Sequence, residues 1–239
     1  MKPLSVLFLL AVSPVVCLAE TPMREQAEAA LQKGVAYFHS ISRHGGYVYY
    51  VTTDLKLRWG ESPADENTIE VQPPGTPAVG MSFLRAFKAT ADSRALQAAK
   101  DAAFALIDGM NALDGWDHTI DFNNVERKSV SFDDNQSQSA VSFLMALDQQ
   151  IDDERLSQAT QRAIAMMMRA QLPNGGWPHR YPEQGNYHDY ATFNDGGIND
   201  CVRVMIEARN YYPENHEITV SLKKAARFLE ISQLPPPQP

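Results

Sequence analysis

A period of about 60 residues runs through this 239-residue chain, and it constrains the fold more than any composition does. The segment FDDNQSQSAVSFL from Phe132 aligns with FNDGGINDCVRVM from Phe193 at an offset of 61, pairing Phe132 with Phe193 and Asp134 with Asp195. Leu113-Asp114-Gly115-Trp116 aligns with Asn174-Gly175-Gly176-Trp177 at the same offset of 61. Phe83-Leu84 precedes Phe143-Leu144 by 60, so an earlier copy begins near Gln72, and Gly45-Gly46-Tyr47 reads as a worn version of the Gly-aromatic turn. Apolar residues at three- and four-residue spacing predict helices over Arg24 to Ile41, Thr76 to Ala91, Arg94 to Ala112, Gln136 to Gln149, Glu154 to Gln171, Ile198 to Tyr211 and Ile218 to Ile231. Thr76-Pro77 is a cap and first-turn pair, and Pro173, Pro213 and Pro235 close three of the others. Each unit is therefore a loop, a helix, a short turn, a second helix and a Gly-aromatic turn.

Such hairpins cannot bury their apolar faces singly and must stack. The expected fold is all-α, an α/α toroid built from repeated hairpins, with the loops ahead of each first helix gathered on one face. Tyr47 to Thr53 reads as a short strand, and the loops Leu113 to Ser131 and Pro173 to Thr192 are expected to carry further short hairpins.

The N-terminus has Lys2, an apolar run from Leu4 to Val12 and Cys17-Leu18-Ala19 before Glu20, which is the pattern of a secretory signal cleaved after Ala19. Val16 ahead of Cys17 argues against a lipoprotein anchor. The expected organisation is a signal peptide over 1–19 and one toroid domain over 20–239, secreted or periplasmic, with no membrane partner after cleavage. Cys201 would then be the one cysteine left, so no internal disulfide forms. The formal net charge is −8, and −9 without Lys2, which argues against nucleic acid as a partner. An acidic protein can still take an anionic substrate where local Arg, Lys or a divalent cation reverses the sign.

Two stretches carry chemistry. Phe132-Asp133-Asp134-Asn135 and Phe193-Asn194-Asp195 each stand just ahead of a helix. Either alone reads as a helix cap. Together, at equivalent positions of a ring, they bring three carboxylates and two amides toward one point, and clustered oxygens of that kind suit Ca²⁺. The second stretch is LPNGGWPHRYP, Leu172 to Pro182. Asn174-Gly175-Gly176 supplies a tight turn, Trp177 a flat apolar face, and His179, Arg180 and Tyr181 supply donors. Either Trp177 plugs the hairpin ends and Arg180 is a solvated charge, or the ring stacks on a sugar while Arg180 grips a carboxylate.

With Val71-Gln72-Pro73-Pro74-Gly75-Thr76-Pro77 and Thr192-Phe193-Asn194-Asp195, these segments resemble the pectic acid lyases, polysaccharide lyase family 10. The likeness covers essentially all of the chain after the signal, and its most specific piece is the combination of PNGGWPxRYP with TFND. It implies an α/α toroid that cleaves polygalacturonate by Ca²⁺-assisted β-elimination, in which Ca²⁺ and Arg neutralise the uronate carboxylate and an Arg is the base. By that resemblance Asp133 and Asp195 fall where the family places acidic groups for calcium and substrate, and Asp134 stands where Asn is more usual. The expected sites are thus Asp133, Asp134 and Asp195 for metal, and Trp177, His179, Arg180, Tyr181, Asn135 and Asn194 for an acidic polysaccharide.

The catalytic arginines of the family fall on segments beyond Gln233-Leu234-Pro235-Pro236-Pro237-Gln238-Pro239, so the chain reads as C-terminally shortened, an incomplete ring with little or no lyase activity of its own. Arg180 is the one candidate base within a motif. A glycoside hydrolase on a similar toroid, using Asp133 or Asp134 with Asp195, and a non-catalytic saccharide-binding protein remain open. Gln171 to Trp177 also has the Gln-x₃-Gly-x-Trp form that staples helices in terpene-cyclase toroids, although the polar loops do not suit a hydrocarbon cavity.

Overall fold

The computed structural model of the chain describes residues 20–124, 129–234 and 236. The expected signal peptide lies outside the described residues. The fold is all-α. Its helices are α1 (Glu20–Ser40), α2 (Thr76–Thr90), α3 (Ser93–Asp108), α4 (Gln136–Asp148), α5 (Glu154–Ala170), α6 (Gly197–Tyr211) and α7 (His216–Ile231), each with ends within four residues of the expected ones. Among the described residues no helix is long and apolar enough to cross a membrane.

Local chemistry sets the helix starts. Asp92 accepts from the Arg94 amide at 2.9 Å, Asp153 from that of Leu156 at 3.1 Å and Asn215 from that of Glu217 at 3.2 Å, so each second helix of a pair is capped by its own sequence. Pro77 occupies the first turn of α2, where its missing N–H costs nothing.

The first helices of the pairs, α2, α4 and α6, pack in succession, α2 on α4 and α4 on α6, while α3, α5 and α7 lie outside them. Alanines 95, 98, 99, 102 and 105 are buried on α3, and these small side chains let α2 approach it closely. Gly80 does the same for α2 and α4, because a Cβ there would stand 2.4 Å from the Phe143 ring. Central α4 is buried on nearly every face, with Phe143, Leu144, Met145 and Leu147 in the core.

The repeat is exact in its hydrogen bonds. The Trp116 indole N–H donates to the Leu106 carbonyl at 2.8 Å, and the Trp177 indole N–H donates to the Met167 carbonyl at 2.8 Å, each ten residues back and 61 apart. Each ring closes the C-terminal end of an outer helix. This placement corrects the expected stacking role of Trp177: the side chain is 1% exposed, so no ring face is open to a sugar. Gln171 completes the staple by donating to the carbonyls of Gly175 and Ser221. Gly175 has φ +97°, and a Cβ there would meet the Lys224 carbonyl oxygen at 2.1 Å, which is why the turn needs glycine.

Three short ribbons join the loops. β1 (Tyr50–Val51) pairs with β2 (Arg58–Trp59), β3 (Thr68–Glu70) with β4 (Thr119–Asp121), and β5 (Val130–Ser131) with β6 (Arg180–Tyr181), all antiparallel. Ile69 opposes Ile120 and Val130 opposes Tyr181, so moving the first pair by 61 gives the second. The expected hairpins inside the loops are therefore corrected. β4 and β5 share one loop but do not pair with each other; each joins a neighbouring repeat, where the ladder also fixes one unit against the next. The first copy is the exception in length. Tyr47 to Ile69 spans 22 positions where Trp116 to Val130 spans 14, and the extra residues form the β1–β2 hairpin.

Trp177 is predicted to be structural. We expect Trp177→Ala to lower the unfolding free energy by about 3–5 kcal/mol, the scale for emptying a large core site, and Trp177→Phe by roughly 1–2 kcal/mol through the lost hydrogen bond and volume. Urea denaturation followed by circular dichroism measures both; a loss under about 1 kcal/mol for the alanine variant would contradict the placement.

Candidate functional site

Two equivalent turns open the inner helices. Asp133–Asn135 and Asn194–Gly196 are single 3₁₀ turns leading directly into α4 and α6. In the first, Asp134 and Asn135 have φ +44° and +59°; in the second, Asp195 and Gly196 have φ +48° and +73°. Two successive left-handed residues are tolerated by Asp, Asn and Gly, whose side chains are short or absent. The backbone thus dictates the residue types and bends both turns toward each other. Carboxylate oxygens of Asp133, Asp134 and Asp195 all lie within 4.8 Å of one another.

None of these carboxylates caps its helix: neither α4 nor α6 has a side-chain cap bond at its entrance. Asp133 Oδ1 is buried without a hydrogen-bond partner, and its nearby cation candidate, His179 Nε2, is 3.8 Å away. Burial, then Asp133, then Asp195 push the Asp134 carboxyl above the usual carboxylate range. Three mutually repelling oxygens with an orphaned acceptor fit a hard divalent cation, which takes six to eight oxygens and accepts water for those the protein omits.

The remaining expected residues divide. His179 is 6% exposed and faces both Asp133 and the His188 ring, whose centroid is 5.7 Å away. Asn194 donates to Asp195, and Asn135 accepts from Arg203 at 3.1 Å, so both amides belong to the cluster. Tyr181 is held in β6, partly buried against the core. Arg180 is placed differently from its neighbour. On extended backbone adjacent side chains face opposite ways, and Arg180 reaches Asp117 at 3.0 Å, whose other oxygen accepts from Ser129 at 2.8 Å. The structure thus pairs Arg180, the expected substrate grip or base, with a largely buried aspartate.

Sequence reading missed two groups. Arg203 on α6 binds Asn135, Asp200 and Glu207 at 3.1, 3.2 and 3.1 Å, and so stiffens the rim of the cluster. A charged trio at spacings of three and four on an inner helix was its only signal. The second group is His118, whose Nε2 is 3.1 Å from Glu70 and 3.9 Å from Glu61. Its Nδ1 lies 3.1 Å from the Gln136 amide, which also donates to Gln72 at 2.8 Å. Glu70 holds the His118 imidazole above its ordinary pKa. His118 stands 61 positions before His179, a signal available from the repeat.

Because Asp134 binds its proton more tightly folded than unfolded, protonation stabilises the fold at low pH, and that stability is lost as pH rises through the raised value. We expect Asp134→Asn to stabilise the metal-free protein at pH 7 by ~0.5 kcal/mol, the scale for a largely exposed charge, and to make no difference near pH 3. Adding a divalent cation should reverse the ranking at pH 7, since the wild-type carboxylate is then a ligand. Thermal melts at the two pH values, with and without cation, test it; equal melting temperatures throughout would refute the repulsion.

The family model for pectic acid lyase matches residues 90–228, from the end of α2 into α7. No curated protein matches the chain. Among solved structures, a family 10 polysaccharide lyase from Cellvibrio cellulosa is 21% identical, with a TM-score of 0.47 over 52% of this chain and 43% of that one. A mutant of a family 10 polysaccharide lyase from the same organism, in complex with trigalacturonic acid, matches with the same identity and score over 44% of its length. The chain thus spans less than half the length of these structures. The family match covers more than half of the chain and includes both acidic turns and LPNGGWPHRYP: the chain belongs to the pectic acid lyase family.

Proposed function

We propose that the chain acts on a polygalacturonate-type polysaccharide with Ca²⁺ held by Asp133, Asp134 and Asp195, as a component of β-elimination chemistry. The observation that carries the reading is the convergence of three carboxylates, one with a buried and unpartnered oxygen, on two turns related by the repeat. The proposal includes export through the Lys2 to Ala19 segment, because the polymer is extracellular, and an α/α toroid in which the acidic turns share one rim.

When bound, Ca²⁺ would neutralise a uronate carboxylate and so raise the acidity of the adjacent C5 proton. The chain's own residues position and order. Asn135 and Asn194 fix the two turns, Arg203 locks Asn135, and His179 stands against Asp133 on the inner side. Arg180 orders the loop through Asp117 and is not assigned the base.

Calorimetry with oligogalacturonate in the presence and absence of Ca²⁺ tests the reading. Binding should require Ca²⁺, and Asp133→Ala and Asp195→Ala should each weaken it at least about tenfold, the loss seen even for outer-shell changes at metal sites. Arg180→Ala should leave affinity within about twofold, the scale of one ion pair, since its guanidinium is paired with Asp117 and not with the cluster. Metal-independent binding that survives both aspartate changes would overturn it. In a turnover assay following the unsaturated, ultraviolet-absorbing product, activity lost in a folded and binding-competent Arg180→Ala variant would restore Arg180 to catalysis.

A further inference from the structure

We propose that Tyr49, Glu61, Glu70 and His118 form a second sugar subsite beside the aspartate cluster, and that it takes an uncharged sugar residue. The inference rests on the uronate reading of the cluster and adds what its neighbour along the polymer must be. Contiguity comes from Gln136, two residues after Asp134: its amide contacts both His118 and Gln72. The Tyr49 ring centroid lies 6.5 Å from that of His118, whose Nε2 is 3.1 Å from Glu70 and 3.9 Å from Glu61.

Glu70 is 2% exposed and its Oε2 faces His118 at 3.1 Å, whereas Gln136 Oε1, on a side chain 3% exposed, and the Tyr49 hydroxyl are buried without a hydrogen-bond partner. Buried polar atoms without partners are rare in a native structure and mark a place where something else binds. Gly60 permits the close approach, since a Cβ there would stand 1.6 Å from Glu70 Oε1. The available groups are mostly acceptors, with one phenol donor, and hydroxyls on a sugar ring match that set.

Charge selects which sugar. Glu61 and Glu70 carry two negative charges against one imidazole, with Asp134 close by. Among the described residues the carboxylates close enough to share one cation are those of Asp133, Asp134 and Asp195, and Glu61, Glu70 and His118 form no such group. Like-charge juxtaposition is a common means of rejecting a wrong partner. The residues responsible arise from the longer first loop, whose extra hairpin brings Tyr49 and Glu61 to the rim; the Trp116 to Val130 loop is eight positions shorter.

The experiment uses the full chain with Ca²⁺ and two hexagalacturonates, one unesterified and one partly methyl-esterified, with affinity read by calorimetry. The esterified oligomer should bind several-fold more tightly. Glu61→Gln, a change at a largely exposed side chain, should shrink that preference by about two- to fivefold and keep the Ca²⁺ dependence. Glu70→Gln should shrink it too, with circular dichroism reporting whether the buried change is tolerated. Tighter binding of the unesterified oligomer, or a preference untouched by Glu61→Gln, overturns the subsite while leaving the cluster reading intact. If neither oligomer binds, or if Asp133→Ala leaves both affinities unchanged, the cluster reading fails and the subsite falls with it.

Discussion

The bond from each Gly-aromatic turn back to the end of its outer helix is the constraint on which the site depends. Trp116 and Trp177 bury a large ring and satisfy a helix-end carbonyl in the same step. That fixes where the chain leaves each hairpin. From there the backbone runs 20 positions to the next inner helix, and the ribbon pairs Ile69 with Ile120 and Val130 with Tyr181 restrict its freedom on the way. The turns carrying Asp133, Asp134 and Asp195 hang between two such fixtures. Their mutual approach is enforced by scaffold packing rather than by any attraction among them.

Such a cluster is locally unfavourable and must be held by something else. Left-handed backbone at Asp134 and Asp195 and one carboxylate oxygen buried without a partner each cost stability. The offset lies in the core directly beneath, where α4 is apolar on almost every side and the burial of each large side chain contributes about 1.5–3 kcal/mol. Local strain set over a closely packed helix is the expected arrangement where chemistry requires unpaired charge.

The helices, the repeat and the acidic turns were legible in the sequence because each is written in neighbouring residues. Apolar spacing marks a helix face, and an offset of 61 needs only the chain laid against itself. What stayed hidden depends on partners far apart. Trp177 looked like a ligand platform because its type permits either face, and only packing shows that the core claims it. Arg180 meets Asp117 across 63 positions, and strand alternation sends it away from His179. β4 and β5 share a loop yet pair outside it, since joining adjacent repeats buries more than a small hairpin could.

On the two proposals made above, one frame supports two chemistries. His118 and His179 occupy the same position of successive repeats, yet one leans on Glu70 and the other on Asp133, residues that do not correspond under the 61-residue shift. The equivalent of Asp133 in the earlier copy is Gln72, and the equivalent of Asp134 is Pro73. Two carboxylates are therefore absent from that copy's turn, while Glu70 and Glu61 place charge against His118. Repetition supplies the fixed backbone cheaply, and substitution within the turn decides whether a given copy gathers oxygens for a cation or acceptors for hydroxyls. A linear polymer lying across both would meet the two environments in succession. Selectivity along such a polymer then follows from differences between copies of one unit, without a separate recognition domain.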